Sequence, residues 1–367
     1  MSPRNTAARG RFRRSHALSA ALLLALAAPC LAAVPANAST TGTSAFDDMG
    51  LDHVAVSGLH NAYEKDKSDQ LTKELDKGAH LLEIDVYSTY GGTGGWIVSH
   101  SDPLFNSNNC TYTVGSGIFK RTMKNGSLRT CLDNLKDWSD DHPGHDPVYI
   151  KLELKWGFRS NAGMGPDDLD SLIRNHLGQN KIFKPADMMG TRYPDLDTAA
   201  KADAWPTWNQ LRGKFVFFPI TGTIENKLSG YGLDHLSTAE EYARHVRNLA
   251  EAGKADEAMM WPEMEPSAGG DPRTVWDPSL RPWFVVFDHQ ATKWLDGSYD
   301  LSWYCRNHYL TVETAAENVS PALDDTDPDP AAAADRVRYL AEAGHSSATT
   351  FDWMNAPGAF EVHSRNC

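Results

Sequence analysis

Residues 81–87, Leu81-Leu82-Glu83-Ile84-Asp85-Val86-Tyr87, decide the fold. The run alternates strictly. A strand period of two puts Leu82, Ile84 and Val86 on one face and Glu83 and Asp85 on the other. Similar short β-branched and aromatic runs lie on either side: HVAVSG (53–58), GWIVSH (95–100), PVYIKLELK (147–155), KFVFFPIT (214–221), WFVVFDH (283–289), HYLTVE (308–313) and ATTFDW (348–353). Between them fall stretches with helical spacing at 66–78, 127–142, 166–177, 236–253 and 331–344. Eight strands alternating with helices predict an α/β fold, specifically a (β/α)8 TIM-type barrel, over an open doubly wound sheet. No glycine-rich nucleotide motif follows any strand. The Gly/Pro-rich stretches 91–130 and 255–282 are expected as rim loops. The Asp-rich run 324–330 lacks the glycine and closing glutamate of a calcium loop and reads as a solvated turn.

The chain has 367 residues, 41% hydrophobic and 23% charged, which excludes a disordered polypeptide. Its first 38 residues read as a leader to be removed: Arg4, Arg9, Arg11, Arg13 and Arg14, then the apolar run 17–28, then Ala36-Asn37-Ala38 as a cleavage site. Arg13-Arg14 leaves both the general and the twin-arginine export routes open. The expected organisation is a leader over 1–38, a loose segment over 39–50 and one barrel domain over 51–367, exported and monomeric. No later apolar run reaches membrane-spanning length.

The leader holds five of the 35 lysines and arginines and no acidic residue; the remaining 30 against 48 acidic residues give a net charge of −18. Nucleic-acid phosphates would be repelled by such a surface. Four cysteines remain after the leader, Cys110, Cys131, Cys305 and Cys367. In an exported chain they imply two disulfides with three possible connectivities, the nearest pairing being 110 with 131 and 305 with 367.

In a barrel, polar side chains at the C-terminal ends of strands line the mouth. The first strand runs into His60-Asn61-Ala62-Tyr63, the second carries Glu83 and Asp85, the third reads Val98-Ser99-His100, and the fourth puts Lys151, Glu153 and Lys155 on one face. Buried carboxylates repel one another and lose hydration, and a divalent cation relieves both problems. Oxygen donors favour calcium or magnesium over zinc. Histidines supply acid and base near neutrality, and lysines hold anionic charge. The set is a kit for cleaving phosphodiesters.

The motifs HNAY, LLEIDVY, VSH and YIKLELK, in that order, resemble calcium-dependent phosphatidylinositol-specific phospholipase C, in its compact secreted bacterial branch. The similarity runs from about residue 51 to about residue 220. The resemblance implies Ca2+ as cofactor, with Asn61, Glu83, Asp85 and Glu153 as its ligands. It implies His60 at the phosphate, His100 as general acid, and Glu83 or Asp85 assisting removal of the proton from the attacking inositol hydroxyl. Lys151 and Lys155 would bind substrate phosphate. The expected partner is phosphatidylinositol or a related phosphodiester lipid. Transient membrane contact would be made through Trp96, Trp156 or Trp353. A glycerophosphodiester phosphodiesterase usually carries a longer acidic run after the first strand, which is missing here, and a non-catalytic headgroup- or sugar-binding barrel would lack one of the histidines or carboxylates. Both remain as alternatives.

Overall fold

The computed structural model describes residues 44–89, 95–102, 104–227 and 236–367. The leader 1–38 and residues 39–43 of the segment after it lie outside the described residues. From Ser44 onward the chain forms one compact unit. Its frame is a ring of parallel strands: β1 (Val54–Leu59), β2 (Leu81–Ser88), β3 (Val148–Leu154), β4 (Phe215–Thr221), β5 (Glu263–Met264), β6 (Val286–Gln290), β7 (Leu310–Thr314) and β8 (Ala348–Phe351). The pairing order is β4-β3-β2-β1-β8-β7-β6-β5. A bridge from Phe217 to Met260, with the Trp261 N–H donated to the Phe217 carbonyl at 2.8 Å, brings the β5 segment against β4. The barrel is therefore nearly closed, as the alternation of strands and helices predicts.

The expected count of eight is correct, but one member is not. The stretch 95–100 contributes a strand, Trp96–Val98, that runs antiparallel to β2 outside the ring. The true fifth strand lies in 255–282, read above as a loop. Only two residues of it are extended, and they sit between Pro262 and Pro266, which lack the N–H a longer ladder needs. The helix expected over 66–78 shrinks to one turn, Lys73–Asp76. Upstream, the Asn109 side-chain amide donates to the carbonyls of Ala62, Glu64 and Ser68 at 3.0–3.2 Å. These bonds tie the segment down as a turn-rich loop beside the barrel mouth, in which the Glu64 carbonyl also accepts from the Lys67 and Ser68 N–H groups at 3.3 Å.

Four longer helices cover the ring: α1 (Leu128–Asp141), α2 (Pro166–Leu177), α3 (Thr238–Glu251) and α4 (Pro330–Glu342). Every residue of β1, β2 and β3 is buried. Their outward apolar side chains meet the helices, and full burial of each Leu, Ile or Val contributes about 1.5–3 kcal/mol. Gly58 on β1 has no alternative: a Cβ there would lie 1.8 Å from the Leu81 carbonyl oxygen. That close approach brings the end of β1 beside the carboxylates of β2. The disulfides are Cys110–Cys131 and Cys305–Cys367, the nearest pairing. The first spans 21 residues and roots a rim hairpin, Tyr112–Val114 with Arg121–Met123. The Asp-rich run 324–330 is a turn as expected: Asp324 accepts from the Thr326 and Asp327 N–H groups, and Asp329 caps α4.

Candidate active site

Strands β2 and β3 pair with Glu83 opposite Lys151 and Asp85 opposite Glu153. That register carries the site. All four side chains face the barrel interior, because the Lys151 ammonium reaches Asp288 on β6 at 2.6 Å and Thr314 on β7 at 2.6 Å. Neither strand neighbours β3. Glu83, Asp85 and Glu153 bring one oxygen each within 4.8 Å of one another, and all three are buried. Asn61 joins them through its backbone, whose N–H donates to Glu83 Oε2 at 2.7 Å. Its φ of 52° lies in the left-handed region, which Asn tolerates better than most residues. The Tyr63 hydroxyl donates to Asn61 Oδ1 at 3.1 Å and fixes that amide.

The donor set fits a hard dication. Glu83 Oε1 and Asp85 Oδ1 are buried without a hydrogen-bond partner. Burial, and then the charges of Glu83 and Glu153, push the Asp85 carboxyl well above the usual range. Lys155 lies 2.7 Å from Asp85 Oδ2 and 2.9 Å from Glu153 Oε2. One ammonium thus answers three carboxylates, and the imbalance favours a cation with oxygen-rich coordination. Glu153 is further held by the Thr223 N–H and hydroxyl, at 2.8 and 3.0 Å.

His60 closes β1 with its Nδ1 3.3 Å from Asp352 Oδ1 at the end of β8. Lys67 pairs with the same carboxylate oxygen and donates to the His60 carbonyl at 3.1 Å. Burial alone would lower the His60 pKa. The bond to Asp352 and the charges of Glu83 and Asp352 outweigh it, and the net shift is upward. The imidazole is therefore pinned on one edge and biased toward its cationic form beside the carboxylates. His100 is more exposed, its Nδ1 2.9 Å from Glu64 Oε1. Its carbonyl accepts from the Tyr87 hydroxyl at 3.0 Å.

The two lysines differ. Lys155 belongs to the carboxylate cluster. Lys151 is committed across the barrel to Asp288, whose N–H donates to Glu263 Oε1 at 3.0 Å. Sequence reasoning missed Asp288, Glu263, Asp352, Lys67, Glu64 and Tyr63. Asp352 was within reach, since it is the polar residue at the end of the last strand in ATTFDW. Glu263 was hidden with its strand.

Of the tryptophans expected at the rim, Trp96 and Trp353 are buried. Trp353 donates its indole N–H to the Asp324 carbonyl at 2.9 Å. Trp156 packs edge-on against Tyr87 with ring centroids 5.3 Å apart. Among the described residues, the most exposed apolar side chains of the stretch 95–130 are Leu104, Phe105, Ile118 and Phe119, at 66%, 68%, 94% and 75% accessibility. They flank and tip the hairpin, which Asn109 and the Lys124–Asp69 pair (2.9 Å) tie to the mouth loop. Residues 103–132 contain Lys120, Arg121, Lys124 and Arg129 and no acidic residue.

A nearly closed parallel barrel, with two histidines and a carboxylate cluster at its C-terminal mouth, defines a metal-using acid–base enzyme of the phosphodiesterase kind. A family model described as "Phosphoinositide phospholipase C, Ca2+-dependent" matches residues 119–237. The structure is similar to a Ca2+-dependent phosphatidylinositol-specific phospholipase C from Streptomyces antibioticus, with 41% sequence identity over 87% of this chain and 99% of that one, and a TM-score of 0.79. The chain belongs to the calcium-dependent phosphatidylinositol-specific phospholipase C family. A calcium-dependent phosphoinositol-specific phospholipase C from a Gram-negative Pseudomonas shares the fold at 20% identity, covering 87% of this chain and 96% of that one with a TM-score of 0.61. No curated protein matches the sequence.

Proposed function

We propose that the protein is an exported phospholipase C that cleaves phosphatidylinositol to diacylglycerol and inositol phosphate with calcium. The carrying observation is the in-register pairing of Asp85 with Glu153, which converges three buried carboxylates beside two mouth histidines. Asn61, Glu83, Asp85 and Glu153 would hold Ca2+. When bound, the ion neutralises phosphate charge and lowers the pKa of a hydroxyl at the site.

The protein's own groups then divide the work. Glu83, with its unpartnered Oε1, takes the proton of the attacking inositol hydroxyl. His60, held by Asp352, donates to the phosphate oxygens as charge builds at phosphorus. The P–O bond to diacylglycerol breaks, and His100 gives its proton to the leaving oxygen. Attack from within the same molecule yields a cyclic inositol phosphate, with proximity supplying much of the rate; water then opens it. Lys155, at the edge of the cluster, holds a phosphate oxygen. Lys151 sits deeper, where its bond to Asp288 makes it a counter-charge.

The substrate's acyl chains stay in a bilayer, so the mouth must meet a membrane. The hairpin Tyr112–Met123 is the contact we assign, with Ile118 and Phe119 entering the lipid and Lys120, Arg121 and Lys124 facing its phosphates. The basic leader 1–38 directs export and is removed after Ala38, leaving one barrel domain that works as a monomer. Among the described residues no helix is long and apolar enough to cross a membrane.

The test is phosphorus NMR of phosphatidylinositol micelles with the purified enzyme, in calcium and then in chelator. Release of cyclic or open inositol phosphate only with calcium is expected. No release from a folded protein in either condition overturns the reading and moves the substrate to soluble glycerophosphodiesters.

A further inference from the structure

At the end of the barrel opposite the mouth, four metal-ligating side chains converge from three separate segments. Asp52 and His53 stand in the turn leading into β1. Asp203 follows the short helix Leu196–Lys201, and His308 precedes β7. Asp52 Oδ2 lies 2.9 Å from His308 Nδ1 and 3.4 Å from His53 Nε2, and His308 Nδ1 lies 3.6 Å from Asp203 Oδ1. One ligand atom from each of the four falls within 4.8 Å of the others. The edge of a tetrahedron around zinc, with bonds of about 2.0–2.1 Å, is about 3.3 Å. The three spacings of 2.9, 3.4 and 3.6 Å bracket that value, and the other pairs lie within 4.8 Å.

We propose that Asp52, His53, Asp203 and His308 form a second metal site, for a zinc-class ion, that staples the floor of the barrel. Two imidazoles and two carboxylates suit a first-row transition dication and are poor ligands for calcium, which takes oxygen. An independent observation points the same way. The Asp52 side chain is 2% exposed, yet its Oδ1 has no hydrogen-bond partner. His308 and His53 both contact Oδ2, so Oδ1 stays buried without a partner, a cost that an ion held through both carboxylate oxygens would remove.

The surroundings are built to hold the cluster in place. Arg365 donates to the carbonyls of Asp52 and Tyr309 at 3.0 and 2.8 Å. The Trp205 indole N–H donates to the His308 carbonyl at 2.7 Å. Both His308 and Asp203 adopt positive φ, at 58° and 53°. His53, His308 and Asp203 are each partly open to solvent, with side-chain exposures of 34%, 26% and 56%, so an ion can enter. An ion here would tie the start of β1 to the start of β7 and raise folding stability by linkage. None of the four residues belongs to the mouth.

The experiment uses metal-stripped enzyme saturated with calcium, so that the mouth carboxylates are occupied. It is titrated with Co2+ and followed by visible absorption, and Tm is then measured with and without Zn2+. The expected result is one equivalent of tetrahedral cobalt absorption and a Zn2+-dependent rise in Tm. His53→Ala should abolish both, and Asp203→Asn should weaken binding at least tenfold. His100→Ala at the mouth should change neither. Asp203 is exposed, so its variant gives a folded reading even if His53→Ala does not fold. Absence of the band overturns the site. So does a band that survives His53→Ala or Asp203→Asn unchanged, or one that is lost with His100→Ala.

Discussion

The Lys155 ammonium lies 2.7 Å from Asp85 Oδ2, on the spot where a calcium ion would find its ligands. Burial opposes the ammonium's charge, but the Asp85 and Glu153 carboxylates outweigh it and raise its pKa. Lysine and calcium therefore share the same oxygens. Lys155→Met should tighten calcium binding at least about tenfold, or 1.4 kcal/mol, as read by titration calorimetry. Breaking a buried pair leaves bare charge worth about 3–5 kcal/mol. The calcium-free variant should therefore melt several degrees lower, and calcium should restore it. Unchanged affinity would show that the lysine does not compete.

The Asp352 carboxyl gives a pH signature. Burial raises its pKa, but the bonds from His60 and Lys67 prevail and bring it down to about 2. An unfolded aspartate titrates near about 3.9. The pairing therefore adds stability that is present above about pH 4 and is lost as pH falls toward 2. Asp352→Asn should be less stable than the native protein at pH 7, and the two urea midpoints should converge between pH 4 and pH 2. A gap that stays constant down to pH 2 would contradict the pairing.

The hairpin tip separates membrane contact from chemistry. Inserting Ile118 and Phe119 is worth about 1.5–3 kcal/mol each, and each basic residue near an anionic surface about 1 kcal/mol. Ile118→Asp with Phe119→Ser should reduce cosedimentation with phosphatidylglycerol vesicles at least about a hundredfold, while turnover of a monodisperse short-chain substrate stays unchanged. Equal vesicle binding by the variant would place the docking surface elsewhere.

Much of the site was legible because strand parity is local. Once LLEIDVY and YIKLELK are read as strands, Glu83, Asp85, Lys151, Glu153 and Lys155 can only face one way. Pairing across the barrel is not local. Nothing near Lys151 in sequence reveals that Asp288, 137 positions later, will take its charge, or that Asp352 will hold His60. The strand at Trp96–Val98 was misassigned to the ring because an antiparallel edge strand and a barrel strand share the same residue pattern. The strand at Glu263 was missed because two residues between prolines carry no periodicity. Trp96 and Trp353 failed as rim residues for a related reason: a large aromatic signals burial as readily as contact, and Ile118 and Phe119 are exposed because the hairpin carries them out from the core.

The central claim is that the carboxylates of β2 and β3 bind the calcium that the reaction needs. It is tested most directly by Asp85→Asn, an isosteric change at the centre of the cluster. Calcium binding by calorimetry and phosphatidylinositol turnover should be measured on the same preparation, with circular dichroism to verify the fold. The account predicts a folded protein that has lost calcium affinity and turnover together, by about a thousandfold or more in rate. A folded variant with full calcium-dependent turnover would contradict it.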